Sequence, residues 1–129
     1  VVIIDEKELN AQYAGAYNPL YIYRKKELIE YKATRNPCGV YAKEIPFENH
    51  ELKLEAGDTL YIFSDGFYDQ FGGKTGEKYK SRNFKKLLAE IHLYPIKDQK
   101  DLLSQEMERW RNNNYTQLDD ILVIGIKIK

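Results

Sequence analysis

The sequence predicts a layered α+β domain, with strands gathered in its first half and helices in its second. Three observations lead there. Residues 1–63 hold a series of short apolar and alternating segments separated by turn chemistry. Residues 84–110 carry two stretches with apolar side chains at helical spacing. A last apolar run, residues 121–129, closes the chain as a strand. Strands, then helices, then one returning strand is the pattern of an α+β fold rather than of alternating βαβ units.

The elements follow in order. Val1-Val2-Ile3-Ile4 reads as a strand already under way, and Asp5-Glu6-Lys7-Glu8 as the turn after it. The absence of a leading Met or cap suggests a chain cut from something longer. Residues 9–13, 19–24 and 27–32 read as short strands, divided by Ala14-Gly15-Ala16-Tyr17-Asn18-Pro19 and by Arg24-Lys25-Lys26. A loop at Asn36-Pro37-Cys38-Gly39 leads to a stretch around residues 43–47. His50–Leu54 and Thr59–Phe63 follow as strands on either side of the turn Glu55-Ala56-Gly57-Asp58, the second rich in β-branched and aromatic residues. Phe84, Leu87, Leu88 and Ile91 then recur at i, i+3, i+4 and i+7, with Ser81 or Asn83 as the expected cap and Pro95 beyond the end. A second helix is expected to open at Asp98, to stripe Leu103, Met107 and Trp110, and to dissolve in Asn112-Asn113-Asn114. No internal repeat or low-complexity linker interrupts the series.

Composition narrows the function. The 129 residues suffice for one domain, and 43% hydrophobic with 31% charged residues belongs to a globular chain. Twenty basic side chains balance twenty acidic ones, which excludes the basic excess a dedicated nucleic-acid binder uses to displace counterions. No apolar run approaches the roughly 18 residues of a membrane span, so no membrane contact is expected from this segment. One cysteine, Cys38, permits no internal disulfide, and two histidines make no Cys/His zinc cluster. A reducing, cytoplasmic setting is the default expectation.

Several candidate chemistries fail on inspection. Gly73-Lys74-Thr75 resembles the end of a phosphate-binding loop, but Tyr68 stands where the first glycine is required. Gly72–Gly76 therefore reads as a flexible loop. Ser64 has Ile62 two residues before it where a nucleophile elbow needs glycine. Nothing near Cys38 would activate a thiol, and neither His50 nor His92 has an evident partner. The eleven tyrosines read as strand residues whose rings pack while their hydroxyls reach water.

Two acidic positions carry more. Ser64-Asp65-Gly66 lies directly after the strand 59–63, and Asp119-Asp120 stands directly before the final strand. Taken singly, each has a plain reading: an Asp-Gly turn, and a solvated acidic pair at a strand entrance. Taken together, they place aspartates at the ends of two apolar strands that could be neighbours. Two carboxylates ~4 Å apart repel by about 4 kcal/mol at an effective dielectric near 20. A bound Mg²⁺ or Mn²⁺ removes that cost, and all-oxygen ligands suit those cations.

Four stretches in this order resemble one family: Tyr13–Ile22, Asn36–Val40, Leu54–Phe67 and Gln117–Ile121. They look like the C-terminal part of a SpoIIE-type phosphatase domain, the bacterial branch of the metal-dependent type 2C serine/threonine phosphatases. The resemblance covers essentially all of residues 1–129. It implies an α-β-β-α sandwich of antiparallel sheets flanked by helices, here N-terminally truncated. It also implies a dinuclear Mn²⁺ or Mg²⁺ centre in the complete domain, where a metal-activated water hydrolyses phosphoserine or phosphothreonine. Asp65 matches the family's strand-end metal aspartate, Asp119 the first acid of its Asp-Asp or Asp-Asn pair, and Asp120 a neighbouring candidate. No residue beyond these metal ligands is implied as catalytic.

The family's other metal aspartates lie in an upstream Asp-Gly-His element that these residues lack, since neither His50 nor His92 follows a glycine. The resemblance thus implies that this segment alone holds half of the site. A phosphorylated regulator, such as an anti-sigma-factor antagonist, is the substrate it suggests. The alternative is a non-catalytic binding or dimerisation module on the same architecture. An open edge along the first strand would favour a homodimer.

Overall fold

The computed structural model describes residues 1–40, 42–43 and 45–129. In chain order the elements are β1 (Val2–Asp5), β2 (Asn10–Tyr13), β3 (Leu20–Arg24), β4 (Glu27–Tyr31), β5 (His50–Lys53), β6 (Thr59–Phe63), α1 (Gly66–Asp69), β7 (Phe71–Gly72), β8 (Glu77–Lys78), α2 (Ser81–Ile91), α3 (Ile96–Arg111) and β9 (Val123–Lys127). They fall into two compact units, Val1–Ile62 with Gly125–Lys129, and Phe63–Ile124.

The first unit is built from sheets. One has the order β1-β2-β5 and a second the order β4-β3-β6-β9. The pairings β1–β2, β2–β5, β3–β4 and β3–β6 are all antiparallel. Ala11, Tyr13 and Leu52 of the first sheet share one buried cluster with Leu20, Ile22 and Leu60 of the second, joined by Leu54 and Ile128. The alternation at Ala11 and Tyr13 puts both on the face that packs against the second sheet, whereas in β3 the residues of both faces, Leu20 to Tyr23, are buried.

The turns explain where strands stop. The Asp5 carboxylate accepts the N–H groups of Lys7 and Glu8 at 3.0 and 3.1 Å, and Leu9 then takes a left-handed φ of 50°. The second strand therefore starts at Asn10, one residue later than its alternation suggests. Lys25 and Lys26 both have positive φ, 48° and 72°, as a two-residue hairpin matched to strand twist requires. At Gly15 an added Cβ would collide with the Tyr13 ring, so the glycine lets that ring lie against the backbone. The Tyr13 hydroxyl donates to the Asn18 carbonyl at 2.6 Å. Of the stretch expected around 43–47, residue 44 lies outside the described residues, and 45–47 form no helix or strand.

The tyrosines depart from expectation. Tyr13, Tyr23 and Tyr61 are each 1% exposed, so their hydroxyls lie inside the fold rather than in water. Burial pushes the Tyr13 phenol up to about 12, and the phenols of Tyr23 and Tyr61 upward as well. His50 has aromatic neighbours: its ring stacks on Tyr13 at 5.8 Å between centroids and lies tilted against Tyr31 at 5.7 Å.

The second unit combines three helices with a hairpin. Phe63, Phe67, Tyr79, Phe84 and Trp110 form a chain of ring contacts, with centroids 4.9 to 5.4 Å apart along Phe63–Phe84–Phe67–Tyr79–Trp110. Phe84, Leu88 and Ile91 are the buried stripe of α2, as their spacing predicts. Its expected cap is absent. Lys80, with a φ of 72°, precedes the helix, and the Asn83 amide donates backwards to the Tyr79 carbonyl at 2.7 Å. The third helix begins at Ile96 behind Pro95, two residues before Asp98, because proline pre-sets the backbone that enters a helix. It ends at Asn112, whose left-handed φ of 46° makes the C-cap.

The glycine-rich segment is not a loose loop. Phe71–Gly72 pairs with Glu77–Lys78 as an antiparallel ribbon, and the Gly73 N–H donates to the Trp110 carbonyl at 2.8 Å. A Cβ on Gly72 would strike that same carbonyl, so glycine is what permits the approach.

One charge in the first unit is expensive to strand. Asp58 is 1% exposed and takes a two-pronged bond from Arg24, Nε to Oδ1 at 2.9 Å and Nη2 to Oδ2 at 2.7 Å. Its Oδ2 also accepts the Glu55 N–H at 2.8 Å. Arg24→Met should therefore cost about 3 kcal/mol, because it leaves a buried carboxylate without its cation. Urea unfolding checks this, and a loss below about 1 kcal/mol would mean that the pair contributes only what surface pairs do.

Candidate functional site

All three acidic residues singled out by the sequence lie in the second unit. Asp65 follows β6 and serves as the N-cap position of α1, with φ −74° and ψ −14°, and its side chain makes no capping hydrogen bond. Asp119 and Asp120 lie in the irregular segment before β9, and all three residues are exposed. The Asp119 Oδ1 accepts the Asp120 N–H at 2.7 Å, which orients one oxygen of that carboxylate towards its own backbone.

Ser64 joins the two places. Its N–H donates to the Leu122 carbonyl at 3.0 Å, and its hydroxyl donates to the Asp120 carbonyl at 2.8 Å. The same hydroxyl accepts the Leu122 N–H at 2.9 Å. Adjacency of β6 and β9 in the sheet order was the condition for the two acidic positions to meet, and β6 and β9 are neighbours. Gly66 completes the approach. A Cβ built there would collide with the Asp120 carbonyl oxygen and stand 2.9 Å from its carbon. The Asp-Gly pair is thus more than a turn: its glycine admits the backbone that carries the second acidic position.

The Ser64 hydroxyl is occupied as both donor and acceptor, so it is a brace and not a nucleophile. Tyr68, on the helix that Asp65 opens, has a phenol raised first by burial and then by the negative charges of Asp65 and Asp69. Asp69 is itself paired with Lys78 of β8 at 3.0 Å. The N–H of Asp69 donates to the Asp65 carbonyl at 3.0 Å, closing the single turn of α1.

The donor chemistry suits a hard divalent cation, since carboxylate oxygens are the ligands offered. The number of ligands is small. Among the described residues, no group of three or more His, Cys, Asp or Glu side chains is disposed to hold a metal ion.

Sequence reasoning missed two contributors. Ser64 was considered only as a nucleophile, and its place directly before Asp-Gly was the available signal. Gln70 ends α1, is 2% exposed, and donates from Nε2 to the carbonyl of Thr116 at 2.9 Å. Nothing in the local pattern marks it.

A family profile described as stage II sporulation protein E (SpoIIE) matches residues 1–129, the whole of the sequence. The chain belongs to the SpoIIE family. None of the curated proteins matches it. Among solved structures, the SiaA-PP2C domain of Pseudomonas aeruginosa is similar at a TM-score of 0.88 and 28% identity, over 99% of this chain and 50% of that one. The PP2C phosphatase domain of Bacillus subtilis SpoIIE with a fragment of its regulatory domain gives 0.74 and 26%, over 98% and 37%. The Mn-presoaked phosphatase domain of Bacillus subtilis SpoIIE gives 0.73 and 24%, over 99% and 55%. The SpoIIE-family chain described here spans about half the length of the first of these structures. Its α+β architecture of antiparallel sheets and helices is that of the PP2C-type phosphatase domains.

The brace predicts a graded response to mutation. Gly66→Ala should destabilise by about 1–3 kcal/mol, since the new methyl group displaces the Asp120 backbone. Ser64→Ala should cost about 1 kcal/mol, the net worth of the hydrogen bonds it removes. Urea midpoints of the two variants against wild type check the ranking, and a neutral Gly66→Ala would contradict the close approach.

Proposed function

We propose that Asp65, Asp119 and Asp120 are ligands of a divalent Mn²⁺ or Mg²⁺ centre, and that the domain hydrolyses phosphoserine or phosphothreonine in proteins. The observation that carries this reading is the Ser64 brace, which ties the strand-end aspartate to the backbone of the acidic pair. Membership of a family of PP2C-type phosphatase domains supports the reaction class, and the manganese in the description of a related Bacillus subtilis domain supports the cation. The centre is dinuclear in the complete domain, and the substrate is a phosphorylated regulator such as an anti-sigma-factor antagonist. No helix is long and apolar enough to cross a membrane among the described residues.

Cations held at such a site acidify and aim a water and neutralise charge on the phosphoryl group. The chain's own residues have simpler duties. Asp65 is presented by the first turn of α1 on a backbone fixed by Ser64 and Gly66. Asp119 keeps one oxygen on the Asp120 N–H and presents the other. Asp120 is held through its main-chain carbonyl, which leaves its carboxylate available. Ser64, committed at both lone pair and proton, takes no covalent part, consistent with direct attack by water.

The test is Mn²⁺-dependent phosphate release from a phosphoserine peptide. Three proteins are compared: these 129 residues, a version extended at its N-terminus with the preceding natural sequence, and that version carrying Asp65→Asn. Activity is expected in the extended protein alone, with Asp65→Asn lower by at least about 100-fold, more than loss of a supporting partner produces. Silence of a folded extended protein would favour the non-catalytic binding or dimerisation module instead.

A further inference from the structure

Residues 117–122, which carry Asp119 and Asp120, lie outside any helix or strand, and 117–120 are exposed. Their placement depends on attachments made from elsewhere. One attachment is Ser64, immediately before α1, through Asp120 and Leu122. A second comes from Gln70, immediately after α1, whose amide donates to the Thr116 carbonyl at 2.9 Å. The same four-residue helix is therefore bracketed by two side chains that grip opposite ends of the acidic segment.

Gln70 is aimed with little freedom. Its second amide proton goes to the carbonyl of Phe71 at 2.9 Å. Its main-chain carbonyl accepts the Trp110 indole N–H at 3.0 Å and the Tyr79 N–H at 2.9 Å. With its backbone locked by Tyr79, just after β8, and by Trp110 of α3, and with the residue 2% exposed, the amide has one direction to point. A residue serving only to fill space there would have no need of a donor, and an unsatisfied buried amide is costly. Both protons being used on main-chain carbonyls identifies the donor function as the reason for glutamine.

We infer that Gln70 is a positioning residue of the metal site, which together with Ser64 sets the separation between Asp65 and the Asp119–Asp120 pair. The inference rests on the assignment of those three aspartates as ligands. Gln70 touches no proposed ligand side chain, and it acts through the backbone of Thr116. Such supporting groups typically change metal affinity by about 10–100-fold when removed.

The experiment uses Gln70→Met, which keeps length and apolar volume but cannot donate. In the 129-residue chain without metal, amide exchange at Leu122, whose N–H is held by the Ser64 hydroxyl, should quicken by about 10-fold while α2 and α3 keep their protection. In the active extended protein, the Mn²⁺ concentration for half-maximal activity should rise by about 10-fold, with turnover at saturating Mn²⁺ largely restored. If Gln70→Met does not fold, Gln70→Asn, which withdraws the same amide by one methylene, is measured in its place. Unchanged exchange at Leu122, or unchanged Mn²⁺ dependence, would overturn the inference. So would quickened exchange spread evenly over α2 and α3, since that is what a packing role alone produces. The exchange readout is independent of the metal. Failure of Asp65→Asn to lower activity would therefore overturn the ligand assignment, while failure of the exchange result would overturn the brace.

Discussion

A single serine side chain holds together the part of this molecule with chemical interest. Ser64 closes three hydrogen bonds onto the backbone between Asp120 and Leu122, and Gly66 removes the one methyl group that would keep that backbone away. Both acidic positions are exposed, and like charges at short range repel, so side-chain attraction does not gather them. The gathering is done by hydrogen bonds from the Ser64 hydroxyl and N–H to main-chain atoms, and these are indifferent to protonation and to salt. Under the proposed ligand assignment, such a site would stand assembled before any cation arrives, and binding would not also have to order the loop.

The two units reach stability by different means. The first relies on paired sheets with an aliphatic and tyrosine core, sealed at one turn by Arg24 on Asp58. The second has no large sheet of its own and adds to the aliphatic stripe of α2 a succession of edge-to-face and tilted rings ending on Trp110. That tryptophan explains several neighbours at once. Its carbonyl requires glycine at 72 and takes the Gly73 N–H, and its indole N–H fixes the carbonyl of Gln70. The glycines of the hairpin are thus set by a residue almost forty positions away in sequence.

Much of this was legible in the sequence. Alternation at 11–13, the Phe84–Leu88–Ile91 stripe and the asparagine run after Arg111 each identify an element through local periodicity or turn preference. So does the family resemblance, which rests on four short stretches. What escaped reading is non-local. Gly72–Gly76 reads as a flexible loop until Trp110 is placed beside it. Ser81 and Asn83 read as caps until Lys80 takes a left-handed conformation and Asn83 turns to Tyr79. For the site, Asp65 and the Asp119–Asp120 pair were visible as residue types at strand ends, whereas Ser64 and Gln70 were not, because their significance lies in backbone atoms more than forty residues distant. Carboxylates announce chemistry, and the braces that aim them have no compositional mark.

The most direct examination of the central claim is a titration of the isotope-labelled chain with Mn²⁺, following the paramagnetic broadening of backbone amides. The account predicts that broadening begins together at residues 64–66 and at 119–122, because one cation would stand against both segments. Broadening confined to one of the two, or centred on acidic residues elsewhere such as Glu6 and Glu8, would contradict it.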